Sequence, residues 1–534
     1  MALRALLLSS ILFTACAPAP TPAKCPELPA SPPTAAPPAP PVRVGPASPT
    51  EVTVSAGDFA VTVRATAFGN LAYQLDCLAD LIHCSTDAIR PFWTAGWTKD
   101  DDDALAAWKR VRAMYKVDTE LAGKVPPALV PLPHGNVEVD KQLRIASMLA
   151  NTPDELRANL RVLMPPQDAE PLVTSAEHFR PRFDAWWSAS GGAIAARFAS
   201  GLAALFGHQE LADVVTRAAR FYAAPLAKGT PIDFDLVVLP GKSEWTSGEQ
   251  MLAHGVIEVL ADEKPEARMD VVCHELFHFF FNARTPDQQA SLAARFTSSP
   301  DPLAVIAYYL LDESVATALG NGVVDHVVNP MDYAKRSKRE LGFYGNHAID
   351  ATAKGLLART KEDPTLGPPL DSPELVSALL AAARDAVGED PRPIEYLHTY
   401  AAESDEGWWD ETMKVTGRAA NSNNEHRSSP FDGGEAVTMV TSHPALSAVL
   451  LVPRARLGAL SAYGDAIPKD VRSAVAREAA RSKKAGTPFA YVAKRSPQAR
   501  LFVIVADDVK GAKSVADALF AQPKSVLGVF HPSP

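Results

Sequence analysis

The sequence predicts an α+β protein that is mainly helical, with a helical N-terminal region and a small α/β domain at the C-terminal end. Three observations predict it. Apolar residues at helical spacing dominate the first two thirds of the chain after residue 50. Two strand-like stretches, Ile232–Leu239 and His254–Leu260, stand just before Val271–Phe281, a run apolar on every side except at three residues. Residues 435–534 alternate strand and helix patterns.

Residues 1–15 read as a lipoprotein signal peptide. One positive residue, Arg4, precedes the apolar run Ala5–Phe13, which is too short to cross a bilayer. Leu12-Phe13-Thr14-Ala15-Cys16 resembles a bacterial lipoprotein box, which implies lipidation of Cys16 as the first residue of the mature chain. The alternative is ordinary cleavage after Ala17 and release of a secreted, soluble protein. Ala17 is not an inner-membrane retention residue, so the expected address is the outer membrane, facing the periplasm or the cell surface. Residues 16–49 form a linker: 13 prolines in 18–49 keep it extended and semi-rigid. No later apolar run is expected to span a bilayer.

Residues 50–230 are expected to be an N-terminal, mostly helical domain. It opens with strands at Glu51–Val54 and Ala60–Ala65, followed by helices such as Ala104–Lys116, Pro153–Met164 and Ala193–Phe206. The acidic run Asp100–Asp103 fits a solvated helix N-terminus, where the dipole favours negative charge. Trp93, Trp97, Trp108, Trp186 and Trp187 read as core or groove anchors. Residues 231–360 are the expected catalytic unit. Residues 361–434 read as a helical region ending in the polar loop Asn421–Pro430, and residues 435–534 as the α/β accessory domain. Cys77 and Cys84 can pair in an oxidising compartment if a continuous helix does not hold them apart. Cys273 is expected to be buried, and Cys25 lies in the linker. A net charge of −10 argues against a nucleic-acid partner.

His274, Glu275 and His278 are the three polar residues inside the apolar run. Polar groups in a buried helix are costly unless something satisfies them. Residues at i and i+4 share a helical face, so both imidazoles can reach one metal ion. Glu275 beside them can activate a bound water. This is the His-Glu-x-x-His arrangement of zinc metallopeptidases. The helix is expected to start near Asp262, with Pro265 in its first turn, and to end near Asn282, before Thr285-Pro286.

Catalytic zinc takes three protein ligands and leaves a position for water. A second apolar helix, Pro302–Leu319, contains only two charged residues, Asp312 and Glu313, with Asp301 as its cap and Gly320 or Gly322 as its end. A carboxylate in such a helix needs a cation, and zinc held by two neutral histidines needs an anionic ligand. Successive helical residues point about 100° apart, so one of the pair faces the metal. Small residues follow Glu313 on its face, Ala316 and Thr317, which selects Glu313 as ligand. Asp312 then holds a histidine N–H from outside the metal shell.

With these residues in hand, the stretch 230–350 resembles a gluzincin, the metallopeptidase group with His-Glu-x-x-His on one helix and a ligating Glu on a later one. The resemblance implies a zincin-like unit with Zn2+ at His274, His278 and Glu313, and Glu275 as general base. It also implies a Tyr or His donor for the oxyanion, and Tyr344 and His347 are chosen over Tyr333 for that role. By analogy of fold, the strand His254–Leu260 is the edge that would pair with an extended peptide. The spacing from His278 to Glu313 is longer than in thermolysin-like enzymes, and Asn-Glu-x-x-Ser-Asp and Gly-x-Met-x-Asn elements are absent. The expected function is therefore a membrane-anchored zinc metallopeptidase acting on peptide or protein substrates. The alternative is a catalytically silent zincin-like lipoprotein that binds or scaffolds. A zinc-storage role lacks the His-rich tract it would need.

Overall fold

The computed structural model describes residues 50–115, 118–119, 137–243, 245–301, 303–360, 367, 369–387, 397–401, 447–483, 486–495, 499–522 and 526–532. The signal peptide, Cys16, Cys25, the linker, the polar stretch Asn421–Pro430 and the expected strand Ala436–Thr441 lie outside the described residues. The chain is mixed α+β and mainly helical, as its patterning predicts.

β1 (Glu51–Ala56) and β2 (Phe59–Arg64) form a hairpin turned at Gly57, whose φ of 61° favours glycine. A run of helices follows: α1 (Ala67–Leu78), α2 (Thr86–Thr94) and α3 (Lys99–Met114). A two-residue pair, β3 (Asp118–Thr119) with β4 (Val137–Glu138), precedes α4 (Val139–Met148), α5 (Pro153–Leu163), α6 (Pro166–Trp186), α7 (Gly192–Phe206) and α8 (Gln209–Phe221). α3 begins five residues before the expected Ala104 because Thr98 and Asp101 form a capping box, which gives the acidic run its helix-start role. α1 ends at Leu78, and Asp80 turns the chain at a φ of 53°. That break lets Cys77 and Cys84 form a disulfide across a Cα separation of 6.0 Å.

β5 (Pro231–Val238), β6 (Gly248–Met251) and β7 (His254–Val259) complete a sheet in the order β1-β2-β5-β7-β6. β2, β5 and β7 run parallel, and β1 and β6 are antiparallel borders. The sheet therefore crosses the expected boundary at 230: β2 pairs with β5 from Ala60↔Pro231 to Arg64↔Asp235. The two regions share backbone hydrogen bonds and cannot be separate folding layers. The strand at His254–Leu260 is also not the edge. β7 is paired on both sides, and among the described residues the free border is β6, joined to it through a turn at Leu252, φ 57°.

α9 (Met269–Asn282), α10 (Pro286–Thr297), α11 (Ala304–Thr317), α12 (Asp325–Val328), α13 (Pro330–Arg336), α14 (His347–Thr360) and α15 (Pro373–Val387) follow. A short 3-10 turn, Pro265–Arg268, leads into α9, so the helix proper starts later than Asp262. One face of the sheet packs on α7, α8, α9 and α11 through Val61, Phe234, Leu236, Ile257, Val272, Leu276 and Val315. The other face packs on α1–α6 through Val237, Met251, Val256, Leu71 and Phe183. α15 contributes Leu375, Leu379 and Ala383 to the first core, so the region after 360 begins inside the expected catalytic unit. Contrary to the expectation that no later apolar run is long enough, the continuous helix Pro166–Phe206, bulged at Trp187–Gly191, is long and apolar enough to cross a membrane by length and composition. Its Phe179, Phe183, Phe198, Leu202 and Phe206 are buried in the two cores.

The C-terminal sheet has the order β12-β10-β11-β9-β8, built from β8 (Leu397–Ala401), β9 (Ser447–Pro453), β10 (Phe489–Lys494), β11 (Arg500–Ala506) and β12 (Gly528–Phe530). α16 (Lys469–Ser482) and α17 (Val509–Phe520) cover its opposite faces. β8 pairs with β9 in parallel, so this unit draws a strand from before residue 435.

Gly320 and Gly322 do not end α11. The helix continues as a π-helix, Ala318–Val324, and the glycines sit within it for packing. A Cβ on Gly320 would lie 2.8 Å from the Asp270 carbonyl oxygen and 2.9 Å from the backbone of His274. Gly320 is what lets this segment touch the α9 backbone. Gly320→Ala should therefore destabilise the protein by about 1–3 kcal/mol, as overpacking does. Gly458→Ala, where an added methyl meets nothing within 4 Å, should stay within about 0.5 kcal/mol of the wild type. Urea unfolding of both variants checks this.

Candidate metal centre

α9 brings His274 and His278 to one face, and α11 crosses it with Glu313. The ligating atoms of the three residues lie within 4.8 Å of one another, and this is the one such group among the described residues. Nε2 of His274 is 3.5 Å from Glu313 Oε2, Nε2 of His278 is 3.5 Å from Glu313 Oε1, and the two Nε2 atoms are 2.9 Å apart. Sequence reasoning named these three residues, and the fold converges them from two helices more than thirty residues apart in the chain.

The outer nitrogens show why both Nε2 atoms point inward. His278 Nδ1 is 3.0 Å from Asp312 Oδ1, and a carboxylate only accepts, so Nδ1 carries the proton. Asp312 thus sits behind the His278 imidazole, on the side away from Glu313. His274 Nδ1 is 3.1 Å from Asn321 Oδ1. The Asn321 amide is oriented by its own nitrogen, which donates to Asp270 Oδ2 at 3.0 Å. His274 Nδ1 therefore also carries a proton, and each Nε2 is left to face Glu313. Asn321 escaped the sequence reading because it lies between Gly320 and Gly322, which look like a helix stop. Asp270 escaped it because an acidic residue in a first helical turn needs no special explanation.

The electrostatics follow from burial and proximity. Burial works against the charged form of His278, but Asp312 and Glu313 outweigh it and push its pKa up to about 10. Burial also works against the Glu313 charge, yet the two histidines and Tyr344 hold its pKa down at about 2. Burial raises the Glu275 pKa, with His274 and His278 pulling the other way. Glu275 is buried directly beneath the sheet border: a Cβ on Gly248 of β6 would lie 2.8 Å from Glu275 Oε1. Gly248 is thus the residue that lets β6 pass over the carboxylate.

Tyr344 reaches the cluster. Its ring stacks on His274 with centroids 6.0 Å apart, and its hydroxyl helps to keep the Glu313 carboxylate charged. Burial first, and Glu313 second, raise its pKa. His347, at the start of α14, has its Nε2 3.6 Å from Glu340 Oε1. Tyr333 stacks on His326 at 4.7 Å. Of the proposed oxyanion donors, Tyr344 is the one brought against Glu313.

β6 is held in place from several sides. Arg144 makes two hydrogen bonds to Glu249, at 2.9 and 2.5 Å. Asn282 donates to Gln250 at 3.0 Å. Buried Glu258 on β7 accepts from Ser247 N at 2.7 Å and from Ser85 Oγ at 2.6 Å, so the residue next to the disulfide steadies the approach to β6.

These residues fit a metal ion. Two imidazole lone pairs and a carboxylate are the donor set of a catalytic zinc site, and Glu313 Oε2 is buried without a hydrogen-bond partner. The group formed by His274, His278 and Glu313 can hold a metal ion. Comparison with protein families, curated proteins and solved structures finds no match for this chain.

The shifted pKa values make a pH prediction for the metal-free protein. His278 titrates above its ordinary 6.5 in the fold, so its stabilising contribution is full below pH 6.5 and is lost as pH rises through about 10. Glu313 titrates below its ordinary 4.5, so its contribution is full above pH 4.5 and is lost as pH falls through about 2. In chelator, the urea midpoint should fall between pH 6.5 and 10, and His278→Gln should flatten that decline. An equal decline in the variant would show that His278 is not its source.

Proposed function

We propose that this chain is a zinc-dependent metallopeptidase of the gluzincin type, built on a zincin-like unit and anchored to the outer membrane through Cys16. The observation that carries the reading is the convergence of His274, His278 and Glu313 beside buried Glu275, directly under a sheet border. A structural metal site has no use for a fourth, non-ligating carboxylate placed there.

Bound at His274, His278 and Glu313, zinc would supply a Lewis acid that polarises a peptide carbonyl and acidifies a water molecule. Glu275 takes the proton of the attacking water and passes it to the departing amine. Its raised pKa suits both halves of that transfer. Tyr344 donates its hydroxyl to the oxygen that gains charge as the carbonyl becomes tetrahedral. Asp312 and Asn321 keep the two imidazoles turned inward throughout. An extended peptide can add to the free border of β6 by backbone hydrogen bonds, which would set it above Glu275.

Zinc content and hydrolysis of fluorescein-labelled casein by the full chain test the reading together. Wild type should hold about one zinc per chain after dialysis, and Glu313→Ala should lose it or hold it far more weakly. Glu275→Gln should keep the zinc and lose hydrolysis. Tyr344→Phe should keep the zinc and lower kcat by about 10²- to 10³-fold. No zinc in folded wild type would sink the metallopeptidase reading. Zinc without hydrolysis of casein or of a broader peptide set would point to the silent binding lipoprotein.

A further inference from the structure

Arg336 is the last residue of α13 and belongs to neither the His-Glu-x-x-His stretch nor the later Glu helix. Its guanidinium nonetheless touches groups that lead to both. Nη1 donates to Asp270 Oδ2 at 2.6 Å and lies 3.2 Å from Asp325 Oδ2, two carboxylates that are both buried. Nε donates to the Gly342 carbonyl at 2.8 Å.

The first contact leads to the metal. The Asp270 oxygen that Arg336 holds is the same one that accepts from Asn321, and Asn321 sets the tautomer and angle of His274. The contact to Gly342 leads to the oxyanion donor. Gly342 opens the segment Gly342-Phe343-Tyr344, and Asp350 pins its other end by accepting from Phe343 N at 2.8 Å and Tyr344 N at 3.3 Å. The fit at Gly342 leaves no slack: a Cβ there would lie 1.9 Å from the Arg336 carbonyl oxygen. Leu341 beside it is held at a φ of 55°, a conformation that L residues rarely adopt and that the surrounding contacts must enforce.

We infer that Arg336 is a positioning residue that couples the orientation of His274 to the seating of Tyr344. The planar fork is what permits this, since it presents donors in fixed directions to two carboxylates and a carbonyl at once. A lysine in its place keeps the charge but presents one compact ammonium, which cannot serve all three. The inference rests on the metallopeptidase reading for its second half and on metal binding alone for its first.

The test uses the full chain and two mutant cycles. The first measures the zinc dissociation constant, by competition with a chromogenic chelator, for Arg336→Lys, Asn321→Ala and the double variant. Each single change should weaken zinc binding about 10- to 100-fold, as loss of an outer partner of a metal ligand does. The double should bind no more weakly than the weaker single, because both act through one chain of contacts. The second cycle measures casein hydrolysis at saturating zinc for Arg336→Lys with and without Tyr344→Phe. Arg336→Lys should lower kcat with little change in KM, and should add nothing once the Tyr344 hydroxyl is gone.

Wild-type zinc affinity in Arg336→Lys, or losses that multiply in the double variants, would overturn the inference. A merely structural arginine would lower the urea midpoint and give that multiplying pattern. If Arg336→Lys does not fold, Asp325→Asn loosens the same guanidinium from its other end and should show the same non-additivity with Asn321→Ala. Wild type that binds zinc but hydrolyses nothing removes the peptidase reading and leaves the first cycle decisive. Wild type that binds no zinc removes both readings.

Discussion

Three ionisable side chains face each other between two mainly apolar helices, and the surrounding architecture answers the cost of placing them there. His274 and His278 are buried and Glu313 is partly so, and each relies on the others and on partners fixed behind them. Those partners come from separate places: Asp312 from α11, Asn321 from the π-helix and Tyr344 from the loop before α14. The π-helix is itself a consequence. Asn321 reaches His274 because Gly320 lets the chain lie against the α9 backbone, and a regular helix end at that glycine would have carried Asn321 away.

The cluster and its immediate carboxylate neighbour were legible in the sequence because their cost is local. His274, Glu275 and His278 interrupt an apolar run, and Asp312 and Glu313 interrupt another. A polar residue in such a place advertises that something satisfies it, and the hundred-degree step of the helix sorts Glu313 from Asp312. Choosing between Tyr344 and His347 was beyond that logic. They are three residues apart in the same polar stretch, and only the turn through Leu341 and Gly342 decides which one meets Glu313.

What stayed hidden was non-local. β6 is four residues, Gly-Glu-Gln-Met, with neither alternation nor β-branched side chains, and its turn to β7 uses Leu252 at positive φ where a reader looks for Asn or Gly. Without β6, β7 looks like an edge. Likewise β1 and β2 read as the start of a separate domain, because parallel pairing with a strand some 170 residues later leaves no mark on either sequence. The helical bundle between them is an insertion between neighbouring strands of one sheet. Its own core signals, Trp93 and Trp108 among them, were plain while its place in the fold was not.

That insertion bears on the site through β6. Its helices α1–α6 pack on the sheet face away from α9, yet Arg144 of α4 grips Glu249, and Ser85, beside the Cys77–Cys84 disulfide, shares Glu258 with Ser247. Glu249 and Ser247 flank Gly248, the residue that lies over Glu275. The strand above the buried carboxylate is therefore positioned by residues from a part of the chain with no metal ligand in it. A border strand four residues long has few ladder bonds of its own, so its position depends on these side-chain anchors. The bundle is thus part of the machinery that fixes the distance between β6 and Glu275, and the site cannot be understood as the stretch 231–360 alone.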